Sequence, residues 1–232
     1  MLKNTTINRK ATVKIAKALG ELNSKAVFVG GAMVSLYIDD PSAEDIRPTK
    51  DIDLTFQIAT VSQLEELRQA LTGKGFHEQA DSNVICRFAY EDMLVDVMST
   101  QTVGWAPSNR WFESGFNNAI LVHLEDIDVQ ILPLPYFMAS KMEAFFDRGM
   151  DDLYASHDFE DIIYLFNYTT TLVEQILNAE DDAVKNYLVD SVQNILENEQ
   201  IRNAMPGHLY FEGVDERMGM IIDKMKAIVN GL

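Results

Sequence analysis

One cysteine, Cys86, and two tryptophans are all that 232 residues contain of those types. A single thiol closes no intramolecular disulfide and builds no thiolate zinc cluster. Its neighbours, Asn83-Val84-Ile85-Cys86-Arg87-Phe88, look like a strand, so a packed thiol is expected rather than a nucleophile. Long apolar runs are missing too. The longest, Val27 to Ile38, is broken by glycines and a serine and is too short to cross a bilayer. No apolar signal core follows Met1-Leu2-Lys3-Asn4-Thr5-Thr6, and a cytoplasmic protein without a membrane partner is expected. His77, His123 and His208 stand far apart with no ligand spacing. Positive charge is scarce: 19 Lys and Arg face 36 Asp and Glu, for a net charge of −17. The imbalance is uneven. Residues 1–25 hold six basic groups against one acidic, whereas residues 151–232 hold five against sixteen. The acidic part repels nucleic acid, and the Lys10, Lys14 and Lys17 stretch is the one concentrated basic patch.

Apolar residues make up 47% of the chain, enough for a substantial core in a globular protein. Periodicity predicts a helix over Ile7–Leu22 with Val13, Ile15, Ala16, Leu19 and Leu22 inward. A buried strand at Ala26–Val29 follows, then a helix over Gly31–Tyr37 and a loop from Asp39 to Thr49. Strands are expected at Asp51–Ile58, Val84–Ala89, Leu94–Met98, Ala119–Leu124 and Asp128–Leu132, with a helix at Ser62–Leu71. A loop holding Trp105, Pro107 and Trp111 precedes the last two strands, its tryptophans pinning it to the core. From Pro135 onward strand signals stop, and helical periodicity runs through 135–147, 158–167, 171–178, 182–198 and 214–229. There is no internal repeat. The expected organisation is an α/β core with its N-terminal helix over 1–133, then a helical domain over 134–232, an α+β layout in which an active site can form between the halves.

Within that frame, Gly30 and Gly31 sit where a strand turns into a helix. Missing side chains there let phosphate oxygens approach backbone N–H groups, with a helix dipole behind them. Twenty positions after Gly31 comes Asp51-Ile52-Asp53-Leu54. On a strand, two carboxylates two residues apart project from one face while Ile52 and Leu54 turn to the core. Asp96, in Leu94-Val95-Asp96-Val97-Met98, repeats that pattern. If the two strands are neighbours, three carboxylates converge and could hold one hard divalent ion or two. Each feature also has an ordinary explanation: glycine pairs serve packing, and aspartates serve strand ends.

Taken in order, Val27-Phe28-Val29-Gly30-Gly31-Ala32 and Arg47-Pro48-Thr49-Lys50-Asp51-Ile52-Asp53-Leu54 resemble the DNA polymerase beta-type nucleotidyltransferase superfamily. More narrowly they resemble its AbiEii branch, the toxin component of toxin–antitoxin pairs. Leu134-Pro135-Tyr136-Phe137-Met138-Ala139-Ser140-Lys141 and His157-Asp158-Phe159-Glu160-Asp161-Ile162 extend the likeness in altered form. It spans roughly residues 26–166. The resemblance implies a nucleotidyltransferase-like mixed β-sheet flanked by helices and followed by a C-terminal helical bundle. It implies two Mg²⁺ ions on Asp51, Asp53 and Asp96, and a nucleoside triphosphate contacted by Gly30, Gly31, Lys50 and Lys141. Asp158 is the implied candidate for activating an acceptor hydroxyl, on tRNA, another RNA or a small molecule, and an antitoxin protein is an implied partner. The chain departs from the branch at Ala32-Met33, where a hydroxyl is commoner, and at His157, where lysine is usual. Those departures keep open a catalytically degenerate nucleotide-binding or partner-binding protein of the same fold.

Overall fold

The computed structural model describes residues 2–79, 86–104 and 106–231. Trp105 and the first two residues of the strand expected from Val84 lie outside them. The chain divides into two compact units, one of residues 1–35 and 45–133, the other of residues 36–44 and 134–232.

The first unit is built on a seven-stranded mixed sheet. Its strands are β1 (Ala26–Val29), β2 (Asp51–Phe56), β3 (His77–Glu78), β4 (Arg87–Tyr90), β5 (Met93–Ser99), β6 (Ile120–Leu124) and β7 (Ile127–Ile131), in the order β3-β4-β5-β2-β1-β7-β6. β2 runs parallel to β5 and antiparallel to β1, so the D-x-D strand lies in the interior of the sheet. Side chains alternate as a pleated strand requires. Ile52, Leu54, Phe88, Val95 and Val97 are buried on one face, and Asp51, Asp53, Arg87 and Asp96 stay partly open on the other. Helix α1 (Lys3–Leu19) buries the expected Val13, Ile15, Ala16 and Leu19, and a 3-10 segment (Gly20–Lys25) carries the chain on to β1. α2 (Val61–Gly73) is capped by Thr60, whose side chain accepts from the Gln63 N–H.

Three local expectations change. The helix expected over Gly31–Tyr37 is a six-residue 3-10 helix, Gly31–Leu36. A 3-10 turn of that length lacks the aligned peptides that build a helix dipole. A short helix, α3 (Phe112–Asn117), occupies the stretch read as loop. Cys86 sits in a turn with φ +76° ahead of β4, not inside the strand.

The second unit is helical: α4 (Leu134–Ala144), α5 (His157–Tyr168), α6 (Leu172–Leu177), α7 (Asp182–Glu197), α8 (Glu199–Ala204) and α9 (Val214–Asn230). α7 packs on both α4 and α9, and α5 packs on α4 and α9. The helix expected over 135–147 is α4 followed by one π-helical stretch, Phe145–Gly149, around the buried Phe145. No helix among the described residues is long and apolar enough to cross a membrane.

Candidate active site

Sheet register decides which side chains meet. Asp53 on β2 is the direct partner of Asp96 on β5, and Asp96 is the direct partner of Arg87 on β4. Directly paired residues share a face, and Asp51 lies two positions from Asp53 on that same face. One row therefore crosses three strands as Arg87, Asp96, Asp53, with Asp51 diagonal to it. Asp51, Asp53 and Asp96 thus share one face of neighbouring strands, and the register delivers a fourth group that the sequence reasoning passed over.

That group is Arg87. Its Nε donates to Asp96 Oδ1 at 2.6 Å and its Nη2 to Asp96 Oδ2 at 2.6 Å, a two-pronged pair. Nη2 also reaches Asp51 Oδ2 at 3.0 Å. The side chains of Asp96, Arg87 and Asp51 are 13%, 20% and 34% exposed. Hydrogen bonds donated to Asp96, then the charges of Asp96, Asp51 and Asp53, outweigh burial and raise the Arg87 pKa above its ordinary value. Burial pushes the Cys86 thiol up to about 12, with the Asp96 charge adding to it, so this thiol stays protonated at neutral pH. The spacing of Arg87 nine residues before Asp96, across a tight hairpin at Glu91-Asp92, was the available signal for the missed arginine.

The glycine turn closes on the same face. Gly30 follows Val29, the β1 partner of Asp53, and has φ +73°. A Cβ there would lie 2.8 Å from the Asp53 Cβ and inside its carboxylate. At Gly31 a Cβ would run into the Arg47 guanidinium and come within 3.0 Å of Thr49 Cγ2. The space left by the two glycines thus admits Asp53 and Arg47 close to the backbone, and the turn itself is closed by Met33 N–H donating to Gly30 O at 3.2 Å.

Beside Asp51 opens a groove of about 600 Å³, whose lining includes Asn8, Lys10, Lys14, Thr49, Lys50 and Asp51. A second, of about 390 Å³, shares Lys10 and Lys14 and extends to Lys17 and Tyr90. Thr49 Oγ1 donates to Asn8 Oδ1, whereas Asn8 Nδ2 has no hydrogen-bond partner among the described residues. Part of the basic stripe on α1 is already neutralised. Lys14 pairs with Glu91 and Asp92 at 2.6 and 2.9 Å, and Lys17 pairs with Asp126 at 2.7 Å.

In the helical unit, Asp158 and Asp161 stand three apart on α5 and so share a helix face. Lys141 on α4 is 6% exposed and meets both, at 3.2 Å to Asp158 Oδ1 and 2.7 Å to Asp161 Oδ2. Arg148, 71% exposed, donates to Asp158 Oδ2 through Nε at 3.0 Å and Nη2 at 2.8 Å. Two cations balance two carboxylates, as burial requires. Ser156, rather than Asp158, caps α5, accepting from the Phe159 N–H. Both oxygens of Asp158 are engaged.

As a donor set, Asp51, Asp53 and Asp96 suit a hard divalent cation, and two of them already converge on one positive atom. Among the described residues no group of three or more carboxylate, histidine or cysteine side chains is arranged to hold a metal ion as it stands.

Over residues 16–226 the sequence matches the model of the family described as nucleotidyl transferase AbiEii toxin, type IV toxin–antitoxin system. The chain belongs to the AbiEii family. It is accordingly an enzyme of the nucleotidyltransferase class, and its family is that of the toxin in a toxin–antitoxin system. No curated protein matches it. Among solved structures, an antigenic nucleotidyltransferase-like protein from Paracoccidioides brasiliensis aligns at 13% identity and TM-score 0.47, covering 90% of this chain and 96% of its own. The antibiotic-resistance factor ANT(2'')-Ia aligns at 14% identity and TM-score 0.49, covering 84% and 97%.

Proposed function

We propose that this AbiEii protein moves a nucleoside monophosphate from a nucleoside triphosphate to the 3′ hydroxyl of an RNA such as tRNA, with Mg²⁺ held by Asp51, Asp53 and Asp96. The observation that carries the proposal is the β2–β5 register, which sets Asp53 against Asp96 with Asp51 on the same face. Bound Mg²⁺, two ions in this proposal, would supply positive charge against the phosphates and polarise the α-phosphate. The acceptor oxygen bonds to the α-phosphorus as the bond to the β-bridging oxygen breaks, and pyrophosphate leaves with the electron pair. The acceptor proton passes to a base, for which Asp158 is the implied candidate, and Lys141 is the implied phosphate contact.

RNA is favoured as acceptor by the groove at Asp51. Lys10 and Lys50 line it and have no ion pair among the described residues. A cationic small-molecule acceptor is the second possibility, favoured by the net charge of −17, which draws cations to the surface. An antitoxin partner and a cytoplasmic location complete the proposal.

Transfer of label from α-labelled triphosphates to total tRNA, with Mg²⁺ and with Asp51→Asn and Asp53→Asn as controls, is the direct trial. Labelled RNA from the native protein and none from either variant is expected. No nucleotide binding at millimolar concentrations would reject the proposal.

A further inference from the structure

The Arg87 guanidinium lies between Asp51 and Asp96, two of the carboxylates that would hold a divalent cation. Its Nη2 contacts Asp96 Oδ2 at 2.6 Å and Asp51 Oδ2 at 3.0 Å, using one atom for two carboxylates of different strands. This is not a loose surface arginine. Backbone pairing of β4 with β5 sets residue 87 opposite residue 96, and the side chain is only 20% exposed. Three carboxylates on one face repel one another, and Asp96 has little water to screen it. An internal positive charge offsets that repulsion while no metal is present.

We propose that Arg87 is a built-in competitor for the metal position, holding Asp51 and Asp96 together without metal and yielding Asp51 when a divalent cation enters. The inference rests on the metal-dependent function proposed above. A divalent ion held by Asp51 and Asp96 would have to displace Nη2. The Nε bond to Asp96 Oδ1 can survive, because a carboxylate offers two oxygens. Arg87 stays tethered to Asp96 through the exchange, so release is a short swing rather than a departure. The consequence is a metal affinity set by competition: the site carries one positive charge that any entering ion has to overcome.

The test is calorimetric titration of nucleotide-free protein with Mn²⁺ and Mg²⁺, paired with thermal melts, on the native protein, Arg87→Met, Arg87→Gln and Asp51→Asn. Without metal, both arginine variants melt lower than the native protein. They bind metal more tightly by about thirtyfold, the size of a unit charge acting on a divalent ion about 4 Å away in high dielectric. Their metal-induced rise in Tm is correspondingly larger. Arg87→Gln keeps a polar donor for Asp96 and supplies the readout if Arg87→Met does not fold. Metal binding that is lost in Asp51→Asn, yet equal or weaker in the arginine variants than in the native protein, overturns this inference alone. Silence of every protein, native included, overturns the metal-dependent function and this inference with it.

Discussion

At position 30 the backbone takes φ +73°, and the missing side chain is the space into which Asp53 fits. Gly30→Ala therefore strains the backbone and pushes the carboxylate away. A stability loss of about 1–2 kcal/mol is expected from the left-handed conformation alone. Urea denaturation measures that part, and metal affinity should fall by more than the stability loss predicts if Asp53 is a ligand. At position 141 the argument is electrostatic. Lys141→Met leaves Asp158 facing only Arg148 and Asp161 without its lysine in a buried setting. Breaking such a cluster from one side costs about 3–5 kcal/mol, and denaturant titration should show it. Adding Asp161→Asn to the same chain should recover part of the loss, since it removes a buried charge that has lost its lysine. The aspartates themselves were legible in the sequence because D-x-D on a strand fixes a common face. Arg87 was not, because a residue's partner on a neighbouring strand follows from register, and a hairpin can slip by one residue without changing composition.

Among the elements, α1 depends on a residue far away in sequence. Leu2 at its N-cap offers no side-chain acceptor. Asp45 takes the role instead, accepting from Asn4 N–H at 2.7 Å, Thr5 N–H at 3.0 Å and Thr5 Oγ1 at 3.1 Å. Asp45→Ala should cost about 1 kcal/mol, as loss of a helix cap does. Burial pushes the Asp45 carboxyl up, but the bonds from Asn4 and Thr5 outweigh it and hold the group below the ordinary carboxylate range. A depressed folded-state value means that the stabilisation is complete above the unfolded value of about 4 and fades as pH falls further. Denaturation curves of the native and Asp45→Ala proteins should thus be separated at pH 6 and converge in acid. Element existence was largely readable from periodicity. The buried faces of α1 and β2 follow from spacings of 3.6 and 2 residues. α3 and α8 escaped the periodicity reading, and the 3-10 turn after Gly31 has the same composition as an α-helical start.

Across the molecule, a net charge of −17 makes contact with a polyanion depend on a few placed cations. If RNA lies along the groove at Asp51, log affinity falls linearly with log salt, with a slope set by the phosphates neutralised. Lys10→Glu with Lys50→Glu should reduce that slope by about 1.4, at 0.7 for each lost single-strand contact, as filter binding at several salt concentrations reads. An unchanged slope would place the acceptor elsewhere. The family was legible from residues because Gly30-Gly31, Asp51, Asp53, Lys141, Asp158 and Asp161 stand in order along the chain. So was the succession from a sheet-forming half to a helical one, since alternation and helical period are local properties. Tertiary structure alone decided that Asp96 faces Asp53, that Arg87 bridges Asp96 and Asp51, and that Lys141 is buried between two carboxylates. Those outcomes depend on strand register and helix packing, where the free energy comes from contacts between residues distant in sequence.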